Sequence, residues 1–345
     1  MPAWRQGIAV GEWRQVSGTA MSSAPISVKT YPGLGNTGPD SKVVAWNGFA
    51  VDTRDSSIYS AASGGHMDYA GNEVNRIRLS DSAPAWTEVR AATPTSQVVA
   101  SATHYADGRP TSRHSYYGAM VNEVRGRVMT VGGSRWGNGF PMGGVVDGFN
   151  LTSNDWDTAQ TFPDAPDFGP YVGWAMADQK STGDVFAFAS YSVVQWSNAT
   201  NTWSRRVGNS AIYGQYAASA LDTKRNRIFV SGGNANDRGV YDLATNTVQV
   251  VSLTGANAGS LSGDGNAMVY DAGLDAYLVR KGAAGGTVYR VNAQTFSVDT
   301  LPNTGGDAVP ATSNGAWKRF LYVPKLKGIV YFPTYGGDLW FLRTS

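Results

Sequence analysis

The sequence contains no cysteine. This absence excludes disulfide bonds, thiolate metal ligands and a cysteine nucleophile. Charged residues are also scarce, at 16% of the chain, against about 25% in an average domain. The formal net charge is only +2, without a run of basic residues, whereas nucleic-acid binding needs a concentrated basic footprint. We therefore expect no nucleic-acid partner.

Long hydrophobic runs are missing as well. No apolar run approaches the roughly 18 residues that a membrane-spanning helix needs. The apolar stretch near the N-terminus is interrupted at Glu12 and Arg14 and is too short for the core of a signal peptide. We expect neither a leader nor a membrane partner, and a location in the cytoplasm or in a particle. Nothing in the sequence indicates an oligomeric state.

Glycine and aromatic residues are abundant, with 42 glycines, 11 tryptophans and 17 tyrosines. This mixture favours many short strands joined by tight turns. The stretch Tyr216–Leu253 contains four short apolar runs separated by turn signals. Four such strands form one small antiparallel sheet that cannot bury both of its faces alone. The sheet must therefore stack against copies of itself.

The copies are found along the whole chain. Pairs of apolar runs around a turn recur at intervals of 44 to 70 residues, marked by Asp52, Asn122, Asp178, Asp222, Asp271 and Val323. Six such repeats predict an all-β protein, a six-bladed β-propeller of four-stranded antiparallel blades that forms a single domain over residues 1–345. The blades are expected at about 43–91, 114–161, 171–208, 215–253, 264–301 and 314–342, the last together with 11–18.

The sixth repeat ends before its fourth strand. The segment around Trp13 resembles the fourth strand around Trp203. We therefore expect Glu12–Ser17 to complete the last blade beside Asp338–Leu342. Closure of this kind removes an open sheet edge and ties the two ends of the ring together.

Two features of the repeats carry a family resemblance. Glycine pairs follow the second strand at Gly64-Gly65, Gly132-Gly133 and Gly232-Gly233, and a tryptophan lies in the fourth strand at Trp86, Trp156 and Trp203. This pattern resembles kelch repeats, including the propeller domain of galactose-oxidase-type enzymes, over nearly the whole chain. The resemblance implies a propeller but no single function, because kelch-type propellers serve both as binding scaffolds and as supports for catalysis.

The long connections are expected on one face of the disc. In a propeller, the loops between strands b and c and those between blades share one face, here called the top. The long segments Thr19–Lys42, Arg90–Arg113, Ser134–Gly144 and Thr158–Tyr171 all belong to this face. Long loops in compact domains commonly carry binding sites. We therefore expect the functional site on the top face.

All three histidines, His66, His104 and His114, fall on top connections of blades 1 and 2. Three imidazoles can hold a divalent metal with an open coordination position. No other cofactor is indicated. The alternative is that these histidines only hydrogen-bond neighbouring loops at the entry to a blade.

A second hypothesis concerns catalysis by Arg113, His114 and Tyr116. A histidine or tyrosine base, a tyrosine acid and an arginine on a carboxylate could support β-elimination from an acidic sugar. The alternative is that Tyr116 simply begins the first strand of its blade and packs. The Ser-x-Asp-x-Gly-x-Thr-Trp motif of sialidase propellers is absent.

Aromatic residues with polar neighbours supply the candidate ligand-binding set. Aromatic faces with polar edges suit binding surfaces. The candidates are His66, His104, Arg135, Trp136, Trp174, Tyr191, Tyr216, Asn234, Asp237 and Trp317. The leading interpretation is a propeller that binds a carbohydrate or a protein partner on its top face, with a composition that fits a virion or phage-tail component. The alternative is an enzyme, lyase-type or metal-dependent, that acts on polysaccharide.

Overall fold

The computed structural model describes residues 1–24 and 34–345. It contains six four-stranded antiparallel sheets and a two-stranded ribbon that pairs Arg113–His114 with Ser134–Arg135. In every sheet the strands are hydrogen-bonded in the order a to d, and strand a lines the central channel. The predicted all-β propeller of six blades is confirmed.

The strands are short, as a propeller requires. In the order a to d, they are Ala50–Asp52, Ser57–Ala61, Val74–Arg78 and Trp86–Arg90 in blade 1; Ala119–Asn122, Arg127–Val131, Val146–Asn150 and Asp155–Trp156 in blade 2; Ala175–Gln179, Asp184–Ala189, Ser192–Ser197 and Thr202–Val207 in blade 3; Ala217–Asp222, Arg227–Gly232, Asp237–Asp242 and Thr247–Val250 in blade 4; Ala267–Asp271, Ala276–Arg280, Tyr289–Asn292 and Val298–Thr300 in blade 5; and Phe320–Val323, Gly328–Tyr331, Trp340–Arg343 and Trp13–Gln15 in blade 6.

Helices are few and short. One α-helix spans Ser41–Val44. The 3-10 helices are Ala3–Arg5, Met21–Ser23, Gly38–Asp40, Thr95–Gln97, Ala258–Leu261, Gly282–Ala284, Gly306–Ala308, Trp317–Arg319 and Pro324–Leu326. Within residues 1–24 and 34–345, no helix is long and apolar enough to cross a membrane.

The polar residue that ends strand a folds the turn to strand b. Asp222 Oδ1 accepts hydrogen bonds from the backbone N–H groups of Lys224 and Arg225, at 3.0 and 3.1 Å. Asp52 and Asp271 bond the N–H two residues ahead in the same way. An aspartate that bonds its own backbone two residues on stabilises a tight turn. The repeated marker in the sequence therefore has a direct physical role.

The ring is closed by the N-terminal strand, as predicted. Trp13 is paired with Leu342, and Gln15 with Trp340. The Trp13 side chain is buried at 3% exposure, and its indole N–H donates to Gly286 O of blade 5 at 2.9 Å. This one residue therefore joins blade 6 to its neighbour as well as completing its sheet.

The long connections of blades 1 and 2 contact each other. The backbone N–H of Gly137, in the predicted insert Ser134–Gly144, donates to His66 O at 2.7 Å. Gly139 lies so close to the His66 ring that a Cβ atom there would be 2.1 Å from Nε2. This insert therefore packs against the blade 1 loop that carries His66. Of the predicted long connection Thr19–Lys42, residues 25–33 lie outside the described part of the chain.

A tyrosine crosses the central channel. Tyr117 lies just before strand a of blade 2, and its hydroxyl donates to Asn266 O of blade 5 at 2.6 Å, with Tyr216 O of blade 4 as a weaker second acceptor at 3.3 Å. Trp317 packs on its ring, with centroids 5.1 Å apart. Both side chains are 2% exposed. We call this pair the crossbar, because it divides the channel into an upper part and a lower chamber.

Candidate functional site

An unusual backbone conformation recurs where the chain enters strand a. Six residues at equivalent places have positive φ: Trp46 at 49°, Tyr116 at 49°, Gly173 at 75°, Tyr216 at 59°, Gly265 at 64° and Trp317 at 44°. Glycine adopts this left-handed region readily, but for a bulky aromatic residue it is a genuine outlier. Strain of this kind costs about 1–3 kcal/mol per residue and persists only where the surroundings enforce it.

The four strained aromatic residues converge at the crossbar, to which Trp317 itself belongs. Tyr116 has ring centroids 5.7 Å from Tyr216 and 5.2 Å from Trp317. The His114 ring is stacked with Trp46 at 5.3 Å and with His66 at 5.5 Å. We call this group the aromatic basin; its members are Trp46, His66, His114, Tyr116, Tyr216 and Trp317.

The basin has a buried floor and an accessible wall. Tyr116 and Trp317 form the floor, at 6% and 2% exposure. Trp46 is 38% exposed, His66 is exposed and Tyr216 is half-buried. An apolar surface that is rigid below and accessible above suits the flat face of a ligand.

Polar groups surround the accessible wall. Burial, and then the nearby carboxylate of Asp264, raise the pKa of Tyr216. Asp264 itself is exposed. Asn234 is also exposed and donates to Gln215 Oε1 at 3.0 Å, next to Tyr216 in the chain. Asn314 accepts a hydrogen bond at its backbone oxygen from the Trp317 indole. The rim can therefore offer both donors and acceptors to a ligand.

His114 is held by a short polar chain. Its Nε2 is 2.8 Å from Asp68 Oδ2, and Asp68 Oδ1 accepts from Thr37 Oγ1 at 2.6 Å. Burial lowers the pKa of His114 and outweighs the opposing effect of Asp68. Burial opposes ionisation of Asp68, but the hydrogen bonds from His114 and Thr37 lower its pKa. At neutral pH the site holds a neutral imidazole on a carboxylate.

We expect this pair to make the protein less stable on mild acidification. Because the pKa of His114 is lower in the folded state, the unfolded chain binds more protons below the ordinary histidine value of about 6.5, and stability falls as the pH drops through that value. His114→Gln keeps a donor for Asp68 without titrating near neutrality. Urea unfolding between pH 7.5 and 5.5 should show a smaller loss of stability in His114→Gln than in the wild type or in His66→Gln. Equal losses in all three proteins would contradict this assignment.

Of the two alternatives for the three histidines, a shared metal site requires their side chains to form one group. His104 lies apart from the stacked pair His66 and His114, and its Nε2 is 2.8 Å from Asp147 Oδ1. Among the described residues, no group of three or more histidine, cysteine, aspartate or glutamate side chains could hold a metal ion. The reason is local: each of two histidines faces its own carboxylate, and the third lies at the surface.

The proposed catalytic set of Arg113, His114 and Tyr116 is also divided. Arg113 is fully buried, and its Nη2 donates to Asp147 Oδ2 at 2.5 Å. Successive side chains of a strand point to opposite faces, so Arg113 faces Asp147 while His114 faces the basin. Burial raises the pKa of Tyr116 far above its ordinary value. Arg113 is therefore engaged away from the basin, where it cannot also hold a substrate carboxylate.

Three other candidates are buried. Trp136, at 9% exposure, packs in the hydrophobic cluster shared by blades 1 and 6, and Trp174, at 1%, donates its indole N–H to Phe168 O. Asp237 is 5% exposed and accepts from the backbone N–H groups of Tyr213 and Gly214. These side chains are occupied in organising top loops.

The remaining candidates lie near the surface. Tyr191 is 51% exposed and stacks on Tyr213 with centroids 5.0 Å apart, beside blade 4 and outside the basin. Arg135 is half-buried, and its Nε has no hydrogen-bond partner in the described part of the chain. Of the predicted ligand-binding residues, His66, Tyr216 and Trp317 belong to the basin, and Asn234 to its rim.

Sequence reasoning missed three residues that organise this site. Trp46 can be identified in the sequence as an aromatic residue that precedes strand a, but the sequence does not show that its side chain is exposed. Asp68 follows His66 by two residues, a spacing that gives no sign of a contact with His114. Tyr117 lies next to Tyr116 and reads as the start of a strand, whereas its side chain crosses the channel.

Comparisons with known proteins support the fold. No protein-family model matches the chain, and no curated protein matches it. Among solved structures, the chain is similar to one described as "Structure of YjhT", with 15% sequence identity, a TM-score of 0.56, and coverage of 87% of this chain and 94% of that chain. At this identity the likeness shows the fold alone, so the protein is a six-bladed β-propeller whose kelch resemblance stays a prediction.

Proposed function

We propose that this protein binds a carbohydrate in the aromatic basin on its top face. The observation that carries the proposal is a group of four aromatic residues with left-handed backbone around one opening. Trp46, Tyr116, Tyr216 and Trp317 all hold left-handed backbone there, with φ between 44° and 59°. Strained aromatic residues cluster at ligand sites, where the strain fixes the binding surface in advance.

The chemistry of the basin favours a sugar. The Trp46 ring offers an apolar face for the C–H groups of a pyranose, and His114 stacked on it restricts its movement. Asn234 and Asp264 on the rim, and Asp68, bonded to His114 with part of its carboxylate accessible, can bond sugar hydroxyls. Since these three residues include two carboxylates and no cation, we expect a neutral sugar to bind in preference to a uronic acid.

A propeller is compatible with binding either a ligand or a protein partner. The basin supports the first because its accessible aromatic surface is small and is bordered by hydrogen-bonding groups. A role as a virion or phage-tail component rests on composition alone and is compatible with glycan binding.

Replacing Trp46 with alanine tests the proposal. A glycan array should identify a neutral oligosaccharide ligand, and isothermal titration calorimetry should show at least about 30-fold weaker binding by Trp46→Ala, because a central aromatic anchor contributes about 2 kcal/mol or more. Trp46 is accessible, so the variant should keep the wild-type melting temperature.

Tyr191→Ala is the matched control, because Tyr191 is an exposed top-face aromatic outside the basin. It should bind as the wild type does. Weaker binding by Tyr191→Ala with unchanged binding by Trp46→Ala would overturn the basin assignment. No signal on the array, together with a protein partner recovered through the same face, would overturn the carbohydrate.

A further inference from the structure

The lower chamber is the part of the channel on the other side of the crossbar. It has a volume of about 610 Å³ and is lined by strand a and its flanking residues from all six blades. It reaches exposed residues of the bottom turns, among them Ser181, Thr223 and Pro324. Small-molecule sites in proteins are commonly cavities of about 300–1,000 Å³. The chamber has the size of such a site.

Most of its wall is apolar. Phe49, Met120, Met176, Met268 and Phe320 contribute side chains that are at most 8% exposed. Methionine adapts its shape to irregular ligands because its side chain is unbranched and flexible. The wall therefore suits the apolar body of a small molecule.

Three charged side chains interrupt this wall: Asp178, Lys180 and Lys318. Lys180 Nζ is 2.7 Å from Asp178 Oδ2 and 3.7 Å from Glu123 Oε1, and it donates to Val51 O and Val121 O. Lys180 is thus fully engaged. Lys318 lies just before strand a of blade 6. Its Nζ is 4.0 Å from Asp178 Oδ1.

Lys318 has unused hydrogen-bonding capacity. Its Nζ donates to one acceptor in the described part of the chain, Ala119 O at 2.8 Å. An ammonium group has three N–H donors. Burial lowers the pKa of Lys318 to about 8; Asp178 opposes this change and Lys180 adds to it. The Lys318 side chain is 19% exposed, so its remaining N–H groups face the chamber and can donate to an acceptor there.

We propose that the lower chamber binds a small amphipathic carboxylate, whose carboxylate group accepts hydrogen bonds from Lys318 and whose apolar body lies against Met120, Met176 and Phe320. The geometry places one incompletely bonded cation in the wall of an apolar cavity that has the size of a small-molecule site. This site is independent of the aromatic basin, because the crossbar of Tyr117 and Trp317 separates the two.

Octanoate is the probe for a direct test on the full chain. Isothermal titration calorimetry at pH 7 should show saturable binding, and Lys318→Met should weaken it at least tenfold while leaving binding of the neutral analogue 1-octanol unchanged. Lys325→Met is the matched control, because Lys325 is exposed on the bottom surface and does not line the chamber. It should bind octanoate as the wild type does.

Two further measurements make the test independent of the variant. Octanoate affinity of the wild type should fall between pH 7 and pH 9, as Lys318 loses its proton beside Asp178 and Lys180. Methyl NMR should show octanoate-dependent shifts for Met120, Met176 and Met268 and none for Met142, which lies in blade 2's top loop. Absence of saturable binding at millimolar octanoate, equal binding by Lys318→Met, or shifts confined to Met142 would each overturn the proposal.

Discussion

Replacing Trp13 with alanine is expected to lower the free energy of unfolding by about 3–5 kcal/mol, the usual cost of truncating a buried tryptophan. Trp13 is 3% exposed and packs between Leu342 and the core of blades 5 and 6. The variant also loses the hydrogen bond from the indole to Gly286 O. Because the same side chain completes one blade and ties it to the next, its loss weakens the ring where the N-terminal and C-terminal strands meet.

Urea unfolding followed by circular dichroism measures this effect as a shift of the midpoint at constant slope. Val10→Ala is the control within the same N-terminal segment, since Val10 is 60% exposed, and it should change the midpoint little. Trp13→Phe should fall between the two, because it keeps most of the packing and loses the hydrogen bond. A midpoint for Trp13→Ala equal to that of Val10→Ala would show that the N-terminal strand does not hold the ring closed.

Truncation of Tyr117 is expected to have an effect of similar size. Tyr117→Ala removes a ring that is 2% exposed and should cost about 3–5 kcal/mol. Tyr117→Phe keeps the ring but leaves Asn266 O and Tyr216 O without their donor, which should cost about 1–3 kcal/mol. The alanine variant also removes the crossbar and joins the basin to the lower chamber.

Tyr335→Phe is the control for the loss of a hydroxyl group. The Tyr335 hydroxyl is buried and has no hydrogen-bond partner within residues 1–24 and 34–345, so its removal should change stability by less than that of Tyr117. Unfolding midpoints of the four proteins give the comparison. If Tyr117→Phe proved as stable as Tyr335→Phe, the bond across the channel would not hold blades 2, 4 and 5 together.

The fold was predictable because three of the six repeats carry an aspartate that forms the turn after strand a. Asp52, Asp222 and Asp271 bond the backbone just ahead of them, and this local chemistry is visible in sequence. Ring closure was predictable for a related reason: the segment around Trp13 matches a strand that blade 6 lacks. Both inferences need only local pattern and the rule that sheet edges are paired.

The site was only partly predictable, because it depends on side-chain direction in irregular loops. The top face and the aromatic residues at the head of strand a could be identified from sequence. The separation of His104 from His114 could not, since each finds a carboxylate distant in sequence, Asp147 and Asp68. The left-handed backbone at Trp46 and Tyr216 likewise depends on the surrounding blades, and residue type argues against it.

The lower chamber, on the opposite side of the disc, could not be predicted from the sequence either. Short bottom turns suggest a plain scaffold, and Lys318 reads as an ordinary polar residue at the start of a strand. Its lowered pKa and its single acceptor arise because six blades place it in a cavity. Sequence position alone does not distinguish such a lysine from an exposed one.

The central claim is that a carbohydrate binds on the Trp46 face of the aromatic basin, and the most direct measurement is NMR of the tryptophan indole N–H groups during titration with the neutral oligosaccharide from the array. The chain has 11 tryptophans, and the Trp46→Phe spectrum assigns the resonance of interest. The account predicts that the Trp46 signal shifts and saturates with the calorimetric affinity, while that of Trp203 on blade 3 stays in place. A shift at Trp203 with an unchanged Trp46 signal would contradict it.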